Sequence, residues 1–217
     1  MNSSACSEAT ARYQTTREAS AKPQTLREQF GNPTGTWGWL IGQLMAMKNS
    51  ERSHWVLARL EAEKQHRVLE IGFGSGIDVK RLLNVVGFVA GVDISETMLN
   101  MARKRNAKAL QAGRAELKLG HACELPFADG SFDRVMSINS VQFWDELDAG
   151  LCEVGRVLVP GGRAVIAIEP RNVGATEATS REWGERLHRE MERVGFESIR
   201  LDYSSGRVPT ICAIGQR

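Results

Sequence analysis

The sequence predicts an α/β fold: an open, mostly parallel sheet with helices on both faces, a helical N-terminal cover and an antiparallel hairpin at its C-terminal edge. Three observations carry this. From Arg67 onward, five strand-like runs alternate with helical stretches, the pattern of strands joined by crossover helices. The first run leads straight into a glycine-rich turn, Gly72-Phe73-Gly74-Ser75-Gly76. The last two strand-like runs are separated only by Ser204-Ser205-Gly206-Arg207, a link too short for a parallel crossover.

The elements follow in order. Residues 1–29 are rich in Ser, Thr, Ala, Glu, Arg and Gln, with Tyr13 and Leu26 nearly the only large apolar groups. Such a segment cannot bury enough surface by itself to offset its ordering entropy. It reads as a flexible arm, either disordered or a lid that orders over a bound ligand. A turn cluster, Gly31-Asn32-Pro33-Thr34-Gly35, opens a helical cover over 30–66. Trp37, Leu40, Ile41, Leu44 and Met45 share one helix face, and a second helix carries Trp55, Val56, Leu57 and Leu60. A 67–217 domain then holds strands at Val68–Ile71, Phe88–Val92, Glu116–Leu119, Phe132–Ile138 and Arg163–Ile168. Helices are expected at about 77–86, 96–110 and 146–158, with Ser95 and Asp145 as caps of the last two. Thr179 with Glu182 fits a capping box for a helix bearing Trp183, Leu187, Met191 and Val194, stopped by Gly195. The closing strands are Phe196–Tyr203 and Val208–Ile214.

Composition excludes some function classes. The 217 residues carry a net charge of only +2, which offers no electrostatic case for a nucleic-acid backbone or an anionic membrane. No apolar run approaches the roughly 20 residues of a membrane span. Cys6, Cys123, Cys152 and Cys212 form no CxxC and match no zinc spacing. They read as buried or free thiols of a cytoplasmic protein with no metal site.

The most informative stretch is Val68-Leu69-Glu70-Ile71-Gly72-Phe73-Gly74-Ser75-Gly76. In an open α/β sheet, ligands sit beyond the carboxyl ends of the strands, where this turn falls. A dinucleotide fingerprint would place its third glycine where Ile77 stands. Glu70 beside a pyrophosphate would be unfavourable, whereas it suits a ligand with a cationic part. The alternative is a tight turn with no ligand. Asp93 ends the next apolar strand, 17 residues after Gly76. A carboxylate at that distance accepts from ribose hydroxyls; the alternative is a helix cap, for which Ser95 is better placed.

Four ordered segments resemble one family. Glu70-Ile71-Gly72-Phe73-Gly74-Ser75-Gly76 is similar to the ExGxGxG motif of class I S-adenosylmethionine-dependent methyltransferases, and Val92-Asp93-Ile94-Ser95 to their acidic loop. Leu125 to Asp133 resembles their LPF…D.SFD segment, and Leu158 to Arg163 their L.PGG turn. The likeness spans about 67–217, is nearest the small type 11 group, and implies a Rossmann-like open seven-stranded sheet that binds S-adenosyl-L-methionine. It implies that Glu70, Gly72, Gly74 and Gly76 face the methionine part and that Asp93 binds ribose. Ile94 or Met98 would lie against adenine, and Asn139 would face the methyl group or the acceptor. His121 stands where the family often carries an Asp at the adenine edge, with backbone N–H groups near Ala122 as further contacts.

Methyl transfer from a sulfonium needs proximity, alignment and a dry site, and a base only when the acceptor carries a proton that must leave. The candidates for that base are His54 and His121, with Asp145 and Glu169 behind them; His66 and His188 read as surface groups. Trp37, Trp39, Trp55 and Trp144 are either core or the walls of an apolar acceptor pocket. The leading function is methyl transfer to a small molecule by a monomer or homodimer. The alternatives are a protein or nucleic-acid methyltransferase, a non-transferring cofactor-binding protein and, disfavoured by Ile77 and Glu70, a nicotinamide-dependent oxidoreductase.

Overall fold

The computed structural model describes residues 1–19 and 50–217. Helix α1 (Ser3–Ala19) and helix α2 (Ser50–Leu60) precede the sheet. Strand β1 (Arg67–Ile71), helix α3 (Ile77–Leu82) and strand β2 (Phe88–Asp93) follow. Then come α4 (Glu96–Arg105), α5 (Ala107–Gln111), β3 (Ala115–Leu119) and β4 (Phe132–Ile138). Helix α6 (Leu147–Val157), β5 (Leu158–Ile168), α7 (Glu177–Arg193), β6 (Glu197–Tyr203) and β7 (Ile211–Gln216) complete the chain.

The seven strands run in the order β3-β2-β1-β4-β5-β7-β6. Pairs from β3 through β5 are parallel, and β7 is antiparallel to both of its neighbours. The order reverses between β1 and β4, which opens a crevice at the carboxyl ends of these two strands. Side chains alternate across the sheet. Leu69 and Ile71 enter a buried cluster shared with α6 and α7, while Val68 enters the opposite one with Val56, Val79 and Leu99. Glu70 shares Val68's parity and is therefore carried onto an otherwise apolar face under α2 and α3, where it is 3% exposed.

Several elements differ from the sequence reading. Residues 3–19 of the expected flexible arm form a helix docked against α6, on a narrow stripe of Ala5, Ala9 and Tyr13. Small residues at a spacing of four give little hydropathy signal, which is why composition alone suggested an arm. Residues 20–29, the turn at 31–35 and the helix with Trp37 and Trp39 lie outside the described residues. The expected 96–110 helix breaks at Asn106, whose buried Nδ2 donates to the carbonyls of Gly76 and Ala102, both at 3.0 Å. Strand β5 begins at Leu158, ahead of a register shift at the Pro160-Gly161-Gly162 turn. Helix α6 is led by Glu146 rather than capped by Asp145. Helix α7 starts at Glu177, with the Thr176 N–H donating to the Thr179 hydroxyl at 3.2 Å, one turn before the expected box. Strand β7 runs over 211–216, and Thr210 N–H donates to Ser204 Oγ at 2.8 Å in the longer connection.

The cysteine reading also needs correction. Cys6 and Cys152 are joined in a disulfide between α1 and α6, 146 residues apart in sequence, while Cys123 and Cys212 are buried thiols. Spacing rules find local pairs; a pairing this distant exists only once α1 docks. Among the described residues no helix is long and apolar enough to cross a membrane.

Candidate cofactor and acceptor site

Two cavities flank the crevice. The larger, about 440 Å³, is lined by Val92, Asp93, Ile94, Ser95 and Met98, by the Gly120–Cys123 loop, and by Asn139, Ser140, Phe143, Trp144 and Asp145. The smaller, about 300 Å³, is lined by Arg52, Ser53, Glu70, Asp78, Arg81 and Arg171. Gly72, Gly74 and Asn139 line both.

The glycine turn divides its labour. Gly72 and Gly74 both have positive φ, at 77° and 51°. A Cβ on Gly72 would overlap Ser140, so this residue lets β1 and β4 close together. A Cβ on Gly74 would meet nothing within 4 Å and would project into open space. The structure turns Gly76 away from both cavities, against expectation. Its Cβ position lies 2.7 Å from Ala102 and 2.8 Å from Asn106, so it serves the packing of α3 on α4. Gly74→Ala is expected to cost about 1–2 kcal/mol of stability from the left-handed backbone alone. Cofactor affinity should fall as well, because the methyl enters the cavity. Urea unfolding and isothermal titration of the same variant separate the two effects.

Asp93 is held firmly. Its Oδ2 accepts the Gly74 N–H at 2.8 Å and its Oδ1 the Ser95 N–H at 2.9 Å. Burial pushes its carboxyl pKa up, against the pull of N–H groups from Ser95, Gly74 and Ile94. A carboxylate has about four lone-pair sites, so at least one remains for a ligand hydroxyl after these three N–H groups. Ser95 caps α4 by accepting the Met98 N–H at 3.3 Å. Ile94 and Met98 lie across the cavity from Ala122 and the half-exposed His121, whose Nδ1 is 3.8 Å from Asp145.

Glu70 has one oxygen bonded to the Val79 N–H, and its Oε2 is buried without a partner. Burial, then the neighbouring Asp78 and Asp93, raise its pKa well above the ordinary carboxylate value. Facing it across the smaller cavity, Arg52 pairs with Glu169, yet its buried Nε has no partner. One cavity thus holds a solitary buried acceptor and a solitary buried donor. That arrangement fits the ammonium and carboxylate of an amino acid, and the open face at Gly74 leaves room for it.

Other candidates fall elsewhere. His54 is exposed on α2 and lines neither cavity, because the helix turns Arg52 and Ser53 toward the site instead. Trp55 stacks under the Arg59 guanidinium at 3.5 Å, outside both cavities. Trp144 lines the larger one, with its Nε1–H donating to Ser140 Oγ at 3.1 Å. Asn139 has a left-handed φ of 54° and donates its N–H to the Ala167 carbonyl at 2.8 Å. Sequence reasoning missed Arg52, Ser53, Arg81 and Arg171. They reach the site only through tertiary packing, and no local pattern marks them. Among the described residues no His, Cys, Asp and Glu cluster could hold a metal ion.

Residues 69–166 match the type 11 methyltransferase-domain family model. The uncharacterized methyltransferase YdaC of Bacillus subtilis is 26% identical over 181 residues, covering 82% of this chain and 98% of YdaC. Over this stretch the chain resembles the class I S-adenosylmethionine-dependent methyltransferases. The O-methyltransferase resE of Aspergillus sclerotiorum is 31% identical over 126 residues, 58% of this chain and 48% of that protein. Among solved structures, phosphoethanolamine N-methyltransferase 2 of Haemonchus contortus, in complex with phosphomonomethylethanolamine and S-adenosylhomocysteine, superposes with a TM-score of 0.61. It is 26% identical and covers 71% of this chain and 39% of that one. The chain therefore spans nearly all of YdaC and less than half of the other two. In this chain the glycine turn falls at the switch point of the sheet, where open α/β folds bind ligands.

Proposed function

We propose that this chain is a methyltransferase that binds S-adenosylmethionine across both cavities and transfers its methyl group to a small-molecule acceptor. The observation that carries the cofactor reading is the pair of solitary buried atoms, Glu70 Oε2 and Arg52 Nε, in the smaller cavity. Glu70 receives the ammonium, Arg52 the carboxylate, and Asp93 the ribose hydroxyls, with the adenine between Ile94, Met98 and the His121–Ala122 loop. The bound cofactor supplies an electrophilic methyl on a sulfonium. The chain's own residues bind, align and exclude water, the terms that matter for an in-line displacement with a neutral leaving group. Support for a small acceptor comes from the apolar walls of the larger cavity, Phe143 and Trp144, and from the similar Haemonchus contortus protein named for phosphoethanolamine N-methylation.

Thermal shift and isothermal titration with S-adenosylmethionine, S-adenosylhomocysteine and NAD test the reading. Stabilisation by the first two and not by NAD is expected; stabilisation by NAD alone would overturn it. Asp93→Ala is expected to weaken S-adenosylmethionine binding by about 1–3 kcal/mol, and unchanged affinity would remove Asp93 from the site.

A further inference from the structure

The corner where the two cavities meet has an unbalanced set of hydrogen-bonding groups. Asn139 lines both cavities, and its Oδ1 accepts the Glu169 N–H at 2.8 Å. A backbone donor at that oxygen settles which way the amide points. The Nδ2 group has no hydrogen-bond partner among the described residues, and it is not one of the buried unpartnered atoms, so it opens to the cavities. Ser140 beside it is saturated. Its Oγ donates to the Ile71 carbonyl at 3.0 Å and accepts from Trp144 Nε1 at 3.1 Å. Because its one proton is used, the 2.9 Å contact with Ser137 Oγ is a second accepted bond. A hydroxyl has one donor and two acceptor sites, and all three are filled. The Glu169 carboxylate takes its contacts with Arg52 and, at 3.4 Å, with Arg171 on Oε2, and the residue lines neither cavity. The remaining oxygen of Glu70 goes to the cofactor's ammonium on the reading above. Among the described groups that line this corner, Asn139 therefore meets the acceptor as a donor, and Ser140 beside it offers no free acceptor site.

We infer that the methyl acceptor is an ionised oxygen, a phenolate, enolate or carboxylate, and that Asn139 Nδ2 holds it in line with the methyl group. This rests on the methyltransferase reading. A lone pair of that oxygen forms the new O–C bond while the C–S bond breaks, and the electron pair of that bond stays on sulfur in a neutral thioether. No proton moves, so no base is required, in keeping with His54 lying outside both cavities. An amine would bring N–H groups to a corner that already presents donors. The left-handed backbone of Asn139 belongs to the same design: strain of this kind persists where the surroundings fix a side chain for a task.

The test uses full-length protein saturated with S-adenosylhomocysteine, whose binding is measured first by isothermal titration. Two matched probe pairs follow: 4-nitrophenol against 4-nitroaniline, and benzoate against benzylamine. The oxyanion of at least one pair is expected to bind saturably and at least tenfold more tightly than its amine, which also tells a phenolate from a carboxylate site. Asn139→Asp, which puts an acceptor where Nδ2 stood and tolerates the same backbone, is expected to abolish that preference. Absence of an oxyanion preference in both pairs, or no saturable binding of any probe to protein that binds S-adenosylhomocysteine, overturns the inference. So does an Asp variant that keeps the preference. If S-adenosylhomocysteine itself does not bind, the methyltransferase reading fails first and takes this one with it. The wild-type comparison stands alone should the variant not fold.

Discussion

Reducing the Cys6–Cys152 bridge is expected to lower the unfolding free energy by about 2–4 kcal/mol, with the chain-entropy limit for so long a loop near 5 kcal/mol. The bridge spans 146 positions, so it removes a large share of the unfolded chain's freedom. Against a typical total of about 5–15 kcal/mol, the loss is substantial. Among the other ties of α1, Arg12 pairs with the buried Asp148 of α6, a carboxylate that Arg193 also holds. Arg17 pairs with Glu124 where both are more than half exposed, and such pairs contribute about 0–1 kcal/mol. Ala9 and Tyr13 add a small buried area. Guanidinium unfolding with and without dithiothreitol measures the difference, and Cys6→Ser should remove the response to reductant. Coincident curves for oxidised and reduced protein would show that the bridge contributes nothing. Because α1 leans on the Cys123 loop through Tyr13, hydrogen exchange in residues 120–124 is expected to quicken on reduction.

Glu70→Gln is the second large effect, and it moves stability and binding in opposite directions. In the free protein the folded-state pKa of Glu70 lies well above its ordinary value because of burial and then of Asp78 and Asp93. Between the unfolded and folded values the native state holds a proton that the unfolded chain has lost. Stability therefore falls as pH rises through that window, and the deficit persists above it. Gln carries no such penalty, so the variant is expected to melt higher than wild type at neutral and alkaline pH and to match it more closely in acid. Cofactor binding reverses the ranking. Removing one partner of a buried charge pair costs about 3 kcal/mol, roughly a hundredfold in affinity. Wild-type affinity for S-adenosylmethionine is expected to rise with pH as Glu70 ionises, and the variant's profile to be flat across that range. Titration calorimetry at several pH values reads both. A Gln variant that binds as tightly as wild type would exclude an ammonium contact.

Much of the sheet was legible because its signals are local. Apolar runs mark the strands, and each is bounded by a glycine or a capping residue. The cofactor residues at strand ends, Glu70, Gly72, Gly74 and Asp93, were legible for the same reason: their positions are fixed by the strands they terminate. Residues brought in by packing were not. Arg52 reaches the smaller cavity from a helix whose own pattern speaks only of its buried face. Asn106 breaks a helix to bind the glycine turn, through a side chain that sequence reads as an ordinary helical polar group. Gly76 matched a motif whose spacing does not say which of its glycines packs and which opens toward a ligand. The α1–α6 disulfide has no local signature at all.

Strand β7 has a consequence for how the molecule is made. It lies inside the sheet, between β5 and β6, yet it is the last of the seven described strands to be synthesised. During translation β6 emerges before the strand that ties it to the rest, and β5 waits with one edge unpaired. The nascent chain therefore cannot complete its sheet until residue 216 has cleared the ribosomal exit tunnel, and a transcript cut short by even one strand would yield two exposed edges rather than a slightly smaller enzyme.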